Sequence, residues 1–392
     1  NLTYLHLDDI YWESEEALPE SLTYFHLYGD NIHWTYIGVL YPNPVNIHFN
    51  NVYWTYKKEL PSNLTHLHLE GNNIYFIYEG ELPNNLVYLH LFGNNTGWIY
   101  EGSLPENLTY LEFNESLMHW TYTGALPQNL THLCLNSEGI HWTYSGELPS
   151  NLTYLHLYSN GIKWTYNGAL PINLTYLKLM SYNIYWTYVG ELPTNLTTLC
   201  LNGNNINWTY VGALPSALTY CNLWYDGIHW TYEGAMPNGL TYLRLEGFNI
   251  NWTYEGAMPN GLTYLRLCGD NIHWTYEGAI PNGLTYLYLG GFNINWTYEG
   301  AMPNGLTYLH LSGDNIHWTY TSWNFANNFR YYAIYVIYVI GSLHTRENII
   351  SVLNKGAQVT WTNEKQISLY AHASMADTEQ GGIWGDFSDI DN

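Results

Sequence analysis

The chain has 392 residues, a formal net charge of −23 at pH 7 and only 10 Lys plus Arg. Nucleic acid and anionic membrane both require a basic face, so neither is expected as a partner. Its 40 Tyr and 18 Trp are far above ordinary usage.

The chain opens at Asn1-Leu2-Thr3-Tyr4, inside a repeating unit and without an initiator Met or signal sequence. The expectation is therefore a piece of a longer or processed protein. The repeating unit is clearest at Leu240 to Gly261, LTYLRLEGFNINWTYEGAMPNG, and it restarts 22 residues on at Leu262, Leu284 and Leu306. The same register runs backwards through Leu218, Leu196, Leu174, Leu152, Leu130, Leu108, Leu86 and Leu64. A Trp keeps step from Trp98 to Trp318. A fixed period of this length marks a repeat architecture whose units must stack, because none has enough apolar surface to close a core alone.

Positions are numbered here from the first Leu of each unit. Leu240, Leu243 and Leu245 alternate with Tyr242, Arg244 and Glu246. That is a short strand with Leu inward and the polar or aromatic residues outward. A turn rich in Gly and Asn follows. Ile250, Trp252 and Tyr254 then alternate again, predicting a second extended segment with these three inward and Thr253 outward. Gly256 and Pro259 supply the return bend. Stacked at the usual ~4.8 Å, roughly fifteen turns would extend about 70 Å, with core columns of Leu, Ile, Trp and Tyr.

Early units are irregular. Trp12 follows Leu2 by ten residues, and Trp54 follows Trp34 by twenty. Pro42 and Pro44 lack the amide hydrogen that a ladder needs, so a break in pairing is expected near residues 40–46. Four cysteines fall at unrelated positions. Cys221 is expected inward and Cys200 outward, with no disulfide among these two, Cys134 and Cys268. After Tyr320 the register dissolves. Strands are predicted at Arg330–Val339, Val359–Thr362 and Gln366–Tyr370, with a short helix at Thr345–Leu353. Residues 321–392 thus read as a small α/β cap on a solenoid of residues 1–320. The longest apolar run, Ala333 to Ile340, is too short to span a bilayer.

Leu64, Leu67, Leu69, Asn72 and Ile74 match the pattern LxxLxLxxNxL, and the chain thereby resembles the leucine-rich repeat family over residues 1–320. The 22-residue length, the Leu-Pro pair and Gly-Phe-Asn-Ile at 247–250 and 291–294 look most similar to its FNIP-type branch. Position 9, where the family keeps an Asn ladder, departs: Asn is read there at 50, 72, 94, 160 and 204, but Asp30, Asp226, Asp270, Asp314, Phe248 and Phe292 stand elsewhere. The terminal segment, including residues 373–377 and 382–386, resembles the ends of such proteins from Bacteroides-group gut bacteria and their phages. That likeness implies an extracellular or virion-surface setting.

The family binds partners on the face made by outward strand residues. Positions 3, 5 and 7 supply the candidate ligand-binding residues: Tyr154, His156, Tyr158, Tyr176, Lys178, Tyr220, Trp224, Tyr242, Arg244, Tyr264, Arg266, Tyr286, Tyr288, Tyr308 and His310. Core positions are nearly identical between units while positions 5 and 7 vary widely. A constant scaffold with a varied, Tyr-rich surface suits recognition of a protein or glycan, and sugar rings stack on such faces. The bland alternative is that the tyrosines stabilise the sheet as cross-strand pairs.

Two further patterns carry charge. Asp30 and His33, Asp226 and His229, Asp270 and His273, and Asp314 and His317 lie three apart, and read as hydrogen-bonded pairs more readily than as metal ligands. Glu233, Glu255, Glu277 and Glu299 recur at position 16 of consecutive units, so they are either solvated or bridged by a cation such as calcium. Asp386, Asp389 and Asp391 do not meet a calcium-loop motif. The sequons at Asn63, Asn107, Asn129, Asn151, Asn173 and Asn195 follow from the repeat itself. GxSxG, HExxH, GxGxxG and P-loop patterns are absent. The sequence reads as a non-catalytic binding module without cofactors. A spacer that self-associates end to end is the alternative.

Overall fold

The computed structural model describes residues 2–320 except for turn segments, among them 9–11, 15–18, 30–31, 37–44, 71–80, 94–98, 159–161 and 203–207. Beyond Tyr320 it describes residues 331–334, 357–363 and 366–371. Side chains are described along the first strand of most units and in the Leu-Pro segment that leads into it, whereas the second strands are described mainly as backbone. The chain forms two compact units, one of residues 1–196 and 200–207, the other of residues 197–199 and 208–392.

The fold is a parallel β-solenoid, and no helix occurs among the described residues. In the first compact unit the front strands include Tyr24–Tyr28, Asn46–Asn50, His66–Glu70, Tyr88–Gly93, Tyr110–Glu115, His132–Asn136, Tyr154–Tyr158 and Tyr176–Met180. In the second they include Tyr220–Trp224, Tyr242–Glu246, Tyr264–Cys268, Tyr286–Gly290 and Tyr308–Ser312. Within each unit these strands pair in parallel with like positions side by side: Tyr154 beside Tyr176, and Tyr242 beside Tyr264. The burial alternates as the pattern requires. Leu243 and Leu245 are buried between half-buried Tyr242, Arg244 and Glu246, and the first Leu of each unit, such as Leu152 or Leu262, is fully buried.

Two features tie one turn to the next. Position-2 carbonyls accept two amide hydrogen bonds from the following unit, and a third from a hydroxyl where that unit carries Thr. For Thr131 these come from the Thr153 amide at 2.8 Å, the Tyr154 amide at 3.2 Å and the Thr153 hydroxyl at 2.9 Å. The hydroxyl bond repeats at Thr175, Thr241, Thr263 and Thr285. The Leu-Pro segment closes the coil: Leu192 is 5 % exposed, and the amide of Leu196 donates to the Pro193 carbonyl at 3.0 Å. Pro fits there because it is asked only to accept. After the front strand, Gly29 and Gly247 take the left-handed region, with φ of 128° and 156°. Their amides donate to Asn50 and Cys268 of the next unit.

The second segments are strands as expected, but their register differs from the front. Trp230 sits beside Ile250, Trp252 beside Ile272 and Trp274 beside Ile294. The partner is 20 residues on, whereas on the front face Tyr242 pairs with Tyr264, 22 residues on. Back strands are therefore offset by two residues per unit, and a Trp neighbours an Ile and a Tyr rather than a Trp. Trp34 faces Trp54 because that unit is two residues shorter. The expected continuous Trp columns are corrected accordingly. The inward placement holds where side chains are described: Ile140 and Trp142 are fully buried, and His141 and Thr143 are exposed.

The same offset separates the position-16 glutamates. Glu255 pairs with Thr275 and Glu277 with Thr297, so successive Glu backbones are diagonal, about 7–8 Å apart, rather than directly opposite. Their side chains and the four Asp-His pairs lie outside the described residues.

Other expectations need correction. Pairing does not break at residues 45–46, because the amides of Val45 and Asn46 both donate to the Thr23 carbonyl. Residues 37–44, including Pro42 and Pro44, lie outside the described residues. Asn50 belongs to position 7, beside Tyr28 and Glu70 on the strand, and not to the turn. Cys200 stands at an outward position yet is only 4 % exposed, because its neighbours cover a short side chain. None of the four cysteines is in a disulfide. Past Tyr320, Tyr331–Ile334 continues the parallel front sheet, and Ala357–Asn363 and Gln366–Ala371 form an antiparallel pair. The helix expected at Thr345–Leu353 lies outside the described residues.

Candidate functional site

Within each compact unit the outward side chains of the front strands form three parallel columns, each repeating at the strand spacing. The position-3 column is a stack of rings. Tyr154 lies between His132 and Tyr176, with centroids 4.1 and 4.2 Å apart and ring planes within 11°. Tyr264 lies between Tyr242 and Tyr286 at 4.2 Å on both sides. Tyr220 stacks on Tyr242 at 4.3 Å. Both faces of these inner rings are therefore covered by other rings. The column presents edges and phenol hydroxyls, and no open face remains on Tyr154, Tyr242 or Tyr264 for a sugar ring. Burial raises the Tyr154 and Tyr264 phenols well above their usual range, so they remain neutral donors.

The position-5 column changes character along the chain. In the first compact unit it is imidazole: His26 stacks on His48 at 4.2 Å, His48 on His68 at 4.0 Å, and His68 meets His90 edge-on at 4.4 Å. His26 and His48 are lowered from 6.5 to about 4, first by burial and then by neighbouring imidazoles, so they are neutral at pH 7. The column then reaches Glu112, which accepts from the Tyr110 hydroxyl and lies 3.8 and 3.6 Å from His90 and His132. Burial raises the Glu112 carboxyl, but the bonds from His132 and Tyr110 outweigh it and hold the group at about 2.

Cys134 and His156 follow, with Sγ 3.5 Å from Nδ1. Burial and Glu112 push the thiol up to about 12, and burial and Lys178 lower the imidazole to about 4. Both partners are neutral, which is the reverse of an activated thiolate–imidazolium nucleophile.

In the second compact unit the column carries guanidinium. Arg244 and Arg266 lie directly opposite each other, and Glu246 accepts from both. The distances are 2.6 and 2.9 Å from Arg244, and 2.9 Å twice from Arg266. Each guanidinium also covers a ring, Arg244 over Trp224 at 4.3 Å and Arg266 over Tyr288 at 4.0 Å. Tyr286 accepts a further bond from Arg266 at 3.3 Å. Burial raises the Glu246 carboxyl, but the bonds from Arg266 and Arg244 bring it below its usual value. Tyr288 folds over Gly290, where an added Cβ would meet the ring at 2.8 Å.

Position 7 holds the open surface of the first compact unit. Tyr28, Phe92 and Tyr158 are 44, 41 and 39 % exposed. They stand three strands apart, a spacing of roughly 14 Å.

Of the candidate residues, Tyr154, Tyr176, Tyr220, Tyr242, Tyr264 and Tyr286 are brought together as stacked columns. Trp224, Arg244, Arg266 and Tyr288 form the cation–ring cluster. Lys178 lies beside a nearly buried His156, 8 % exposed. Tyr308 and His310 take the expected register beside Tyr286 and Tyr288, and their side chains lie outside the described residues. The Glu246 clamp was missed as a cluster; its signal was the i, i+2 spacing of Arg244 and Glu246.

The sequence matches no known protein family profile and no curated protein. Among solved structures it is similar to YopM from Yersinia enterocolitica WA-314, at 17 % identity over 80 % of this chain and 78 % of that one, with a TM-score of 0.44. It is also similar to the Arabidopsis receptor kinase HAESA, solved in complex with the peptide hormone IDA and the co-receptor SERK1. There the identity is 16 % over 89 % of this chain and 60 % of that one, with a TM-score of 0.42. A third is the circular leucine-rich-repeat protein CroV588, at 23 % identity over 82 % of this chain and 60 % of that one, with a TM-score of 0.33. This chain thus spans about three-fifths of the latter two. No helix of the described residues is long and apolar enough to cross a membrane.

Proposed function

We propose that this protein is a non-catalytic recognition module that holds a protein ligand against the outward face of its front strands. The observation that carries the reading is the division of labour among the three columns. Position 3 is nearly constant and stacked upon itself, whereas positions 5 and 7 vary and leave Tyr28, Phe92 and Tyr158 exposed. Exposed aromatic side chains on a rigid frame give large contact area at low entropic cost. The covered ring faces favour a peptide or protein, which can use hydroxyls and edges, over a glycan that needs open faces. A setting on the outside of a bacterium or phage particle, and a capping role for residues 321–392, complete the proposal.

The test is selection of a displayed peptide library on the purified full chain, beside a glycan array. The expected result is a peptide whose binding falls about tenfold or more in the combined variant Phe92→Ser and Tyr158→Ser, with the thermal midpoint unchanged. Binding only to glycans, or filaments formed without any ligand, would replace this reading.

A further inference from the structure

We propose that His48, His68 and Glu70 form a binding site for a divalent transition-metal ion of the zinc class on the front face of the first compact unit. His48 and His68 are direct partners on adjacent strands, and Glu70 follows His68 by two residues, so all three project from the same side of the sheet. The imidazoles stack at 4.0 Å with 25° between planes, and His68 Nε2 lies 3.2 Å from Glu70 Oε2. One ligand atom from each of the three residues falls within 4.8 Å of the other two.

Zinc binds imidazole nitrogen and carboxylate oxygen at about 2.0–2.2 Å, so ligand atoms around one ion sit about 3–3.5 Å apart. The His68–Glu70 pair already meets that separation. His48 must close the rest by side-chain rotation out of its stack between His26 and His68.

The donor set selects the metal class. Two imidazoles and one carboxylate suit zinc, nickel or copper, whereas calcium and magnesium favour all-oxygen shells. His26 stacks on His48 at 4.2 Å and His90 meets His68 edge-on at 4.4 Å, so the pair is flanked by imidazoles on both sides. This arrangement is distinct from the Asp-His pairs of the turns and rests on none of them.

Cobalt serves as a spectroscopic stand-in, because it reports its ligand number by visible absorption. The chelator-treated chain is titrated at pH 7.5 with cobalt and then zinc, beside the variants His68→Asn and Glu70→Gln and a remote control on an exposed back-strand residue, His141→Asn. Circular dichroism confirms that each variant is folded. The expected result is a cobalt spectrum displaced by about one equivalent of zinc. Affinity should fall about tenfold or more in His68→Asn, less in Glu70→Gln, and remain unchanged in the control. If wild-type protein binds no cobalt or zinc at 100 µM, or His68→Asn binds as tightly as wild type, the site does not exist. An unfolded His68→Asn is replaced by His48→Asn, which is held to the same outcomes.

Discussion

The position-5 column solves one electrostatic problem in two ways. Side chains repeat there about every 4.8 Å, a spacing at which a row of like charges repels strongly. In the first compact unit the answer is neutrality: burial and neighbouring imidazoles hold His26 and His48 unprotonated at pH 7, and their rings stack on each other and on His68. Guanidinium has no neutral form near pH 7, so the second compact unit must compensate. Arg244 and Arg266 share Glu246 and spread their charge over Trp224 and Tyr288. The lesson is that a parallel repeat tolerates ionisable residues in a column only when each copy can be discharged or answered.

Acid should break this symmetry most strongly, because several groups titrate together. Histidines with folded pKa near 4 and an unfolded value near 6.5 contribute stability that is complete above about 6.5. That contribution is lost as pH falls from about 6.5 through 4. Amide protection factors, corrected for the intrinsic exchange rate at each pH, are expected to fall in the front strands of residues 24–158 between pH 7 and 4.5, and far less in residues 220–290, where Arg stays charged and Glu246 is held below its usual pKa.

Removing the shared acceptor comes next. Glu246→Gln should cost about 2 kcal/mol in urea unfolding, with allowance for the partial exposure of the cluster. Glu70→Gln, which alters a single bond to His68, should cost under about 1 kcal/mol. Equal losses would mean that the two columns do not differ as described. Tyr264→Ser, which empties a place stacked on both sides, should also cost about 2 kcal/mol or slightly less. A smaller loss, about 1 kcal/mol, is expected for Thr153→Val, which deletes one inter-turn hydroxyl bond and keeps the β-branched shape.

Most of the front face was legible from the sequence. Period-two alternation at Leu243 and Leu245 states which side is buried, and a fixed 22-residue repeat states which strands are neighbours. The back was legible in type but not in register. Nothing in Trp252 or Ile272 declares that they stand side by side, because a strand inclined to the stacking direction pairs unlike positions without changing which residues face inward. The tyrosines were read correctly as a column, but their rings turn towards each other rather than outward. Spacing along a chain fixes a side chain's position and leaves its rotation to its neighbours. The Thr hydroxyl bonds went unseen because they need the partner carbonyl 22 residues earlier. The His48–His68–Glu70 grouping was obscured for a similar reason, since the units that bring it together are among the irregular ones.

The uniform front register has a consequence for inheritance. Every residue of Tyr242–Glu246 stands beside the residue 22 further on in Tyr264–Cys268, and the following pair repeats the arrangement. Unequal crossing-over that removes or adds one such block leaves each remaining edge facing an equivalent partner. The protein can thus lengthen or shorten by whole turns, roughly 5 Å at a time, without a new folding problem at the seam. What each such event changes is the order of side chains displayed along the outside.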